Sequence, residues 1–406
     1  MPDGTDDPTL SPEDLSRFEE RVRSVLEAAW VDLGPAADGT PRGYTAPHPE
    51  VYPWLWSWDS CFHALVWARL GRPDRALIEL AEVFAHQGPD GFVPHMGYQR
   101  RPGHHAAFWG RPASSCITQP PIFGHTVAEL ARRGIEVPER LVEASRAGVL
   151  FLLRHRRRDP SGLVRVVHPW ETGCDDSPRW DDLCPGGFDR ERWRTVKGDL
   201  VATVEFAPTG SPVDNPACPV APAGFNALVA HAAAELATVT GDDELAAGAR
   251  EVADALDARF DPGLATWVDA GVTERGSGRV RTVDALCGVL VTGDARARSA
   301  VTAVLLDPAA HASPHGPTGV HRAEPAYSST AYWRGPVWPQ LAYLLRAGLG
   351  GGPGGGEVAA STVRGARRSG LAEYWEPDTG RGLGAVPQSW SGLAVVLADA
   401  LVDGTA

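Results

Sequence analysis

About a dozen stretches of this chain repeat apolar residues at helical spacing, and strand-like alternation is scarce. The first is marked by Ser11-Pro12-Glu13-Asp14, which offers an N-cap, a proline at the first helical position and an acidic first turn. Leu15, Phe18, Val22, Leu26 and Ala29 then fall on one face, so a helix is expected over about 12 to 30. Similar stretches recur near 58 to 70, 73 to 87, 118 to 133, 138 to 155, 223 to 239, 241 to 259, 283 to 291, 295 to 306, 336 to 348, 356 to 369 and 388 to 401. Short Gly, Pro and Asp signals such as Leu70-Gly71-Arg72-Pro73 and Thr240-Gly241-Asp242-Asp243 alternate with long connections at about 31 to 57, 88 to 117, 157 to 222, 307 to 335 and 370 to 387. Helices joined alternately by short turns and long loops fit an all-α toroid of helical hairpins better than a parallel sheet.

No domain linker interrupts the pattern. One catalytic domain is expected over 11 to 406, with an excursion near 157 to 222, after a frayed segment over Met1 to Leu10. The glycine run from Gly348 to Glu357 lacks the lysine and hydroxyl residue of a phosphate loop and reads as a flexible turn between helices.

The chain has 406 residues and a formal charge of -13, so no basic excess is available for nucleic acid. Its apolar runs are too short to span a bilayer. Six dispersed cysteines form no CxxC pair, and no basic-then-apolar leader opens the sequence. Reduced thiols, a cytoplasmic location and a monomer or small homo-oligomer are the expectations.

Three loop segments concentrate indole rings, carboxylates and arginines: Trp54 to Asp59, Trp170 to Trp180 and Tyr332 to Trp338. Such a set suits a sugar, because flat rings cover pyranose faces while charged groups meet hydroxyls. Cleaving a glycoside further requires an acid for the leaving oxygen and, in an inverting reaction, a second carboxylate to activate water. One group of carboxylates lies in His168 to Asp182, where Pro169, Gly173 and Pro178 favour turns over a helix. A second segment, Ala372 to Gly380, offers Glu373 and Glu376, and its residues alone do not choose between them.

Together with Trp56 to His63, Asp90 to Met96, Ser115 to Pro121 and Tyr332 to Pro339, these segments resemble the ordered motifs of glycoside hydrolase family 63. Within that family the likeness is to bacterial glucosylglycerate and mannosylglycerate hydrolases, and it extends from about residue 50 to 400. The resemblance implies an (α/α)6 barrel and hydrolysis of small α-glucosides or α-mannosides with inversion. It makes Asp175 the general acid and Glu373 the general base, with carboxyl groups about 6.5 to 9.5 Å apart. It also places Trp56, Trp58, Asp59, Gln119, Trp170, Arg179, Trp180, Tyr332, Trp333, Arg334, Gly335, Trp338 and Trp390 around the substrate. Arg334 is expected either to bind a substrate carboxylate or to hold Asp175 and Asp59 in place.

Thr172, Cys174 and Asp176 depart from the family's Ser, Met and Asn. Asp176 puts a second carboxylate beside Asp175, which is expected either to raise one of their pKa values or to disturb a hydrogen bond that the family's amide makes. Gln388 stands where the family has an aromatic ring, opening or polarising the pocket edge.

The reaction calls for no cofactor, and no metal ligand set is assigned. His104-His105, His311 and His315 lack ligand spacing, and no nucleophile elbow is present. An oligosaccharide α-glucosidase or trehalase-like enzyme is the alternative activity, and a catalytically inactive carbohydrate-binding protein is the alternative class.

Overall fold

The computed structural model describes residues 11–402, so the expectation for Met1 to Leu10 lies outside the described residues. Thirteen α-helices are present among them: α1 (Pro12–Ala29), α2 (Ser57–Arg69), α3 (Pro73–Val83), α4 (Ala106–Trp109), α5 (Ile122–Arg132), α6 (Glu139–Arg154), α7 (Arg190–Val201), α8 (Ala223–Thr240), α9 (Asp243–Asp257), α10 (Ala295–Leu306), α11 (Pro339–Leu349), α12 (Pro353–Ser369) and α13 (Leu393–Val402). Ser11 caps α1, its hydroxyl accepting the Asp14 N–H at 3.1 Å.

Packing closes an inner ring. Going round it, α2 touches α5, α5 touches α8, and α8 meets a 3-10 turn at Ala285–Leu290. That turn touches α11, α11 touches α13, and α13 returns to α2. Each member carries an outer partner, respectively α3, α6, α9, α10, α12 and α1. The division follows from sequence. Every residue of α2 from Ser57 to Trp67 is buried, as befits a helix enclosed on all sides, whereas α1 buries only the stripe Phe18, Val22, Leu26 and Ala29.

The connections alternate as the spacing predicts. Passage from inner to outer helix takes a tight turn such as Leu70 to Arg72 or Gly241-Asp242, and passage from outer to inner takes a long loop. The strands are confined to antiparallel pairs within these connections, including Trp30–Pro35 with Pro41–Thr45, Leu55–Trp56 with Met96–Gly97, and Tyr374–Trp375 with Gly382–Leu383. The protein is thus a predominantly helical toroid with small strand pairs.

Three local expectations change. The 283 to 291 segment is a 3-10 turn, held between α8 and α11 with Gly288 pressed on Trp267, where a Cβ would come within 2.5 Å. The glycine run is not a free turn, because Pro353 starts α12 and carries Gly354 to Gly356 into its first turn. A Cβ on Gly355 would meet the Gly350 carbonyl at 2.2 Å, so the glycine permits that close approach. The excursion near 157 to 222 contains a full helix, α7, whose polar sequence concealed it.

Candidate active site

Five of the six outer-to-inner connections converge on one cavity of about 160 Å³. Tyr52 and Trp56 come from the segment entering α2, Trp58 and Asp59 from the first turn of α2 itself, and Gln119 from the segment entering α5. Gly173 and Asp175 lie between α6 and α8, Tyr332 and Trp333 precede α11, and Glu373, Gln388 and Trp390 precede α13.

The carboxylates in the Asp-rich turn divide by partner. Glu171 is buried against Arg156 and also accepts the N–H groups of Thr118 and Val167. Asp176 pairs with Lys197 Nζ at 2.6 Å, Asp181 with Arg334 at 2.7 Å, and Asp182 accepts the Ser277 N–H at 2.7 Å. Asp175 is left facing the cavity, and among the described residues no group donates a hydrogen bond to its carboxyl. The same sorting operates at the second segment. Glu376 caps its own turn by accepting from Asp378 N–H, Thr379 N–H and the Thr379 hydroxyl, whereas Glu373 points into the cavity.

Two glycines make room for these groups. Gly173 has φ +71, and a Cβ there would fall 2.4 Å from the Trp58 ring. Gly384 has φ +69, and its Cβ would fall 2.3 Å from Glu373 Oε2. No other residue type combines that backbone with that proximity.

Burial pushes both carboxyls up to about 7, but their surroundings differ. Glu373 accepts the Ala385 N–H at 3.0 Å and the Tyr52 hydroxyl at 3.3 Å, contacts that favour its ionised form. For Asp175, burial is followed by the opposing influence of Lys197, which lowers its pKa, and then by the smaller raising effects of Asp176 and Glu373. The like-charge repulsion expected from Asp176 is therefore outweighed by the ammonium that pairs with it. Lys197 belongs to α7, and so does Trp193, whose indole donates to the Asp175 carbonyl at 2.9 Å. The helix missed in the sequence is the support of the Asp175 turn.

A second cavity, of about 250 Å³, adjoins the first. Trp56, Gln119 and Asp175 line both, and His95, Met96, Trp109 and Trp170 complete the second. His95 is neutral, its pKa pushed down to about 3 by burial, and its Nδ1 lies 2.6 Å from the Ser115 hydroxyl. Trp170 is fixed by His168, whose Nδ1 accepts the Trp170 N–H at 3.1 Å. Asp175 thus stands at the junction of two chambers.

Residues 52–391 match the family model described as the mannosylglycerate hydrolase MGH1-like glycoside hydrolase domain. The chain belongs to that family. It is 30% identical to the mannosylglycerate hydrolase of Rubrobacter radiotolerans over 89% of this chain and 93% of that protein. It is 27% identical to the glucosylglycerate hydrolase of Mycolicibacterium hassiacum over 96% of this chain and 98% of that protein. The crystal structure of the GH63 mannosylglycerate hydrolase from Thermus thermophilus in complex with glucose matches with a TM-score of 0.73 at 26% identity, over 94% of this chain and 99% of that one. As a member of this family the protein is an inverting O-glycoside hydrolase acting on a small carbohydrate.

Within this glycoside hydrolase domain, nine of the fifteen residues singled out from sequence line the first chamber, and Trp170 lines the second. Five stand behind the wall instead. Arg179 is buried between Asp269 and Asp284 and donates to Thr282 at 2.7 Å. Trp180 is buried, with its indole N–H on the Cys174 carbonyl at 3.0 Å. Trp338 stacks on the back of Trp333, ring centroids 3.5 Å apart, and Gly335 is pressed against the Ser328 carbonyl. Arg334 grips Asp181 through both guanidinium nitrogens and reaches the Asp176 carbonyl at 3.3 Å. Its expected hold on Asp175 and Asp59 is not what the geometry shows, because its hydrogen bonds go to the Asp181 carboxylate and the Asp176 carbonyl.

Gln119 shows why an amide serves here. Its Oε1 accepts the Ser57 hydroxyl at 3.1 Å and the Trp58 N–H at 3.2 Å, which turns its NH2 group to the chambers. Asp59 also lines the first chamber, its pKa raised well above the ordinary value by burial and then by the charge of Glu373. Pro47, Tyr52, Gly173 and Gln388 also line the first chamber without having been named as sugar contacts. Tyr52 had a signal in sequence, lying two residues before the Trp54 cluster. Gln388 had one too, since it replaces an aromatic of the family pattern.

Proposed function

We propose that Asp175 and Glu373 are the general acid and general base for hydrolysis of an α-glucoside or α-mannoside of glycerate. The position of Asp175 between two chambers carries this reading. An acid that protonates a glycosidic oxygen has to reach the atom joining sugar and aglycone, and only a residue shared by both compartments does so. The sugar then occupies the chamber of Trp56, Trp58, Asp59, Trp333 and Trp390, where Trp and carboxyl groups meet ring faces and hydroxyls. The aglycone occupies the chamber of His95, Met96, Trp109 and Trp170. Glu373 faces the first chamber alone and takes a proton from the water that attacks the anomeric carbon. As the carbon–oxygen bond breaks, the Asp175 proton passes to the leaving oxygen, so the pair ends with its protonation states exchanged. The names of the Rubrobacter and Mycolicibacterium relatives support glycerate as the aglycone. Residues 11 to 402 act as one catalytic unit, and the six unpaired, buried cysteines support a cytoplasmic location. None of the helices among the described residues is long and apolar enough to cross a membrane.

The decisive experiment compares Asp175→Asn and Glu373→Gln on mannosylglycerate, glucosylglycerate, glucosylglycerol and an α-glycosyl fluoride, with NMR of the first-formed anomer. A fluoride leaves without protonation, so Asp175→Asn retains turnover of it while losing the glycerate substrates. Glu373→Gln loses both. Equal loss of the fluoride in the two variants would overturn the acid assignment.

A further inference from the structure

We propose that His125, His231 and Glu235 form a binding site for a zinc-like divalent ion, separate from the sugar chambers. His231 and Glu235 are one helical turn apart on α8, four residues in sequence, and therefore project from one face. His125 comes from the neighbouring inner helix α5. His231 lies eight residues into α8, about 12 Å along the axis from the end that leads in from the Asp175 loop.

The spacing of the three ligand atoms is the central observation. His125 Nδ1 is 3.2 Å from His231 Nε2 and 3.3 Å from Glu235 Oε2, and all three atoms lie within 4.8 Å of one another. Tetrahedral zinc with bonds of about 2.0 to 2.1 Å separates its ligand atoms by about 3.3 to 3.4 Å, so two measured edges match. A metal-free hydrogen-bond network leaves one of the two contacts at His125 Nδ1 without a full hydrogen bond. His125 Nδ1 carries either one proton or one lone pair, yet it faces both another imidazole nitrogen and a carboxylate oxygen. A cation at the centre meets all three lone pairs at once.

Outer contacts fit as well. His125 Nε2 lies 2.8 Å from the Tyr343 hydroxyl on α11, the partner that a metal-bound imidazole needs for its remaining N–H. Arg132 donates to the same oxygen, Glu235 Oε2, and also to Glu129, at 3.0 Å, which fixes the direction of the carboxylate and leaves the other lone pair of that oxygen for the ion. The Glu235 side chain keeps 20% of its surface exposed, which provides an entry path and leaves the fourth position to water. Bound there, the ion ties α5 to α8, and Tyr343 extends the tie to α11.

Chelator-treated wild-type protein titrated with zinc sulfate in a calorimeter is expected to bind one equivalent. Cobalt(II) in the same protein is expected to give the strong visible bands of a tetrahedral ion. At a free zinc concentration a hundredfold above Kd, the melting temperature should rise by roughly 3 °C. His231→Gln and Glu235→Gln should each weaken binding by about 100-fold or more, a loss at least as large as that from removing an outer partner. The exposed-loop control His104→Gln/His105→Gln should retain the equivalent. Absence of zinc binding to the wild type, or its survival in both site variants, would overturn the proposal whatever the stability of the variants.

Discussion

Replacing Glu373 by glutamine should destroy activity and stabilise the fold, with a pH dependence that exposes the cause. The Glu373 carboxyl sits at about 7 against an ordinary 4.5, because burial penalises the ion more than the Ala385 N–H and Tyr52 hydroxyl relieve it. Between those two values the folded protein keeps a proton that the unfolded chain has released, so stability falls as pH rises through the window. Each pKa unit corresponds to about 1.4 kcal/mol, giving a penalty of about 3 kcal/mol at pH 8 and about 1 kcal/mol at pH 5. Glutamine keeps the shape and never ionises. With an unfolding entropy of about 2.1 cal/mol/K per residue over 406 residues, Glu373→Gln should melt about 4 °C above wild type at pH 8 and about 1 °C above it at pH 5. Calorimetric scans at several pH values measure the difference directly, and kcat should fall by about 10² to 10⁴-fold. A variant no more stable than wild type at pH 8, or a gain that does not change with pH, would refute the reasoning that the Glu373 carboxylate is held ionised at a cost.

Other substitutions test the neighbours. Lys197→Met leaves Asp176 charged beside Asp175, so the alkaline limb of the kcat/KM profile should move to higher pH, with a stability loss of about 3 to 5 kcal/mol for the broken buried pair. Adding Asp176→Asn to that variant should bring the limb back down and recover much of the stability. Tyr52→Phe removes a donor that favours ionised Glu373, so the acid limb should shift to higher pH while the alkaline limb stays in place. Gly173→Ala meets the Trp58 ring at 2.4 Å on a left-handed backbone and should lower stability by more than about 1 kcal/mol, measured by urea unfolding, with kcat falling alongside.

What could be read along the chain was its local rhythm. The twelve periodic segments became the six inner and six outer members of the toroid, because enclosure on all sides or on one stripe is written in the spacing of apolar residues. The helix α7 escaped this reading since its contribution to the core is made by a few residues, Trp193, Lys197, Leu200 and Val201, within a strongly charged sequence. The sugar-like chemistry of Trp56, Trp58, Trp333 and the acidic turns was legible as residue type. Which ring faces the chamber was not. Trp333 and Trp338 are close neighbours in sequence with the same side chain, and only the stacking of one behind the other separates wall from backing.

Composition and period, then, determined a helical toroid whose long loops carry the chemistry, because those properties act between residues close in sequence. Tertiary structure decided which carboxylates are free. Glu171, Asp176, Asp181 and Asp182 each find a cation or an N–H donor, with Arg156, Lys197, Arg334 and Ser277 lying 15 to 153 residues away, while Asp175 finds none. Charge partners separated so widely leave no local pattern, and burial sets a carboxyl's proton affinity only after the fold has removed its water.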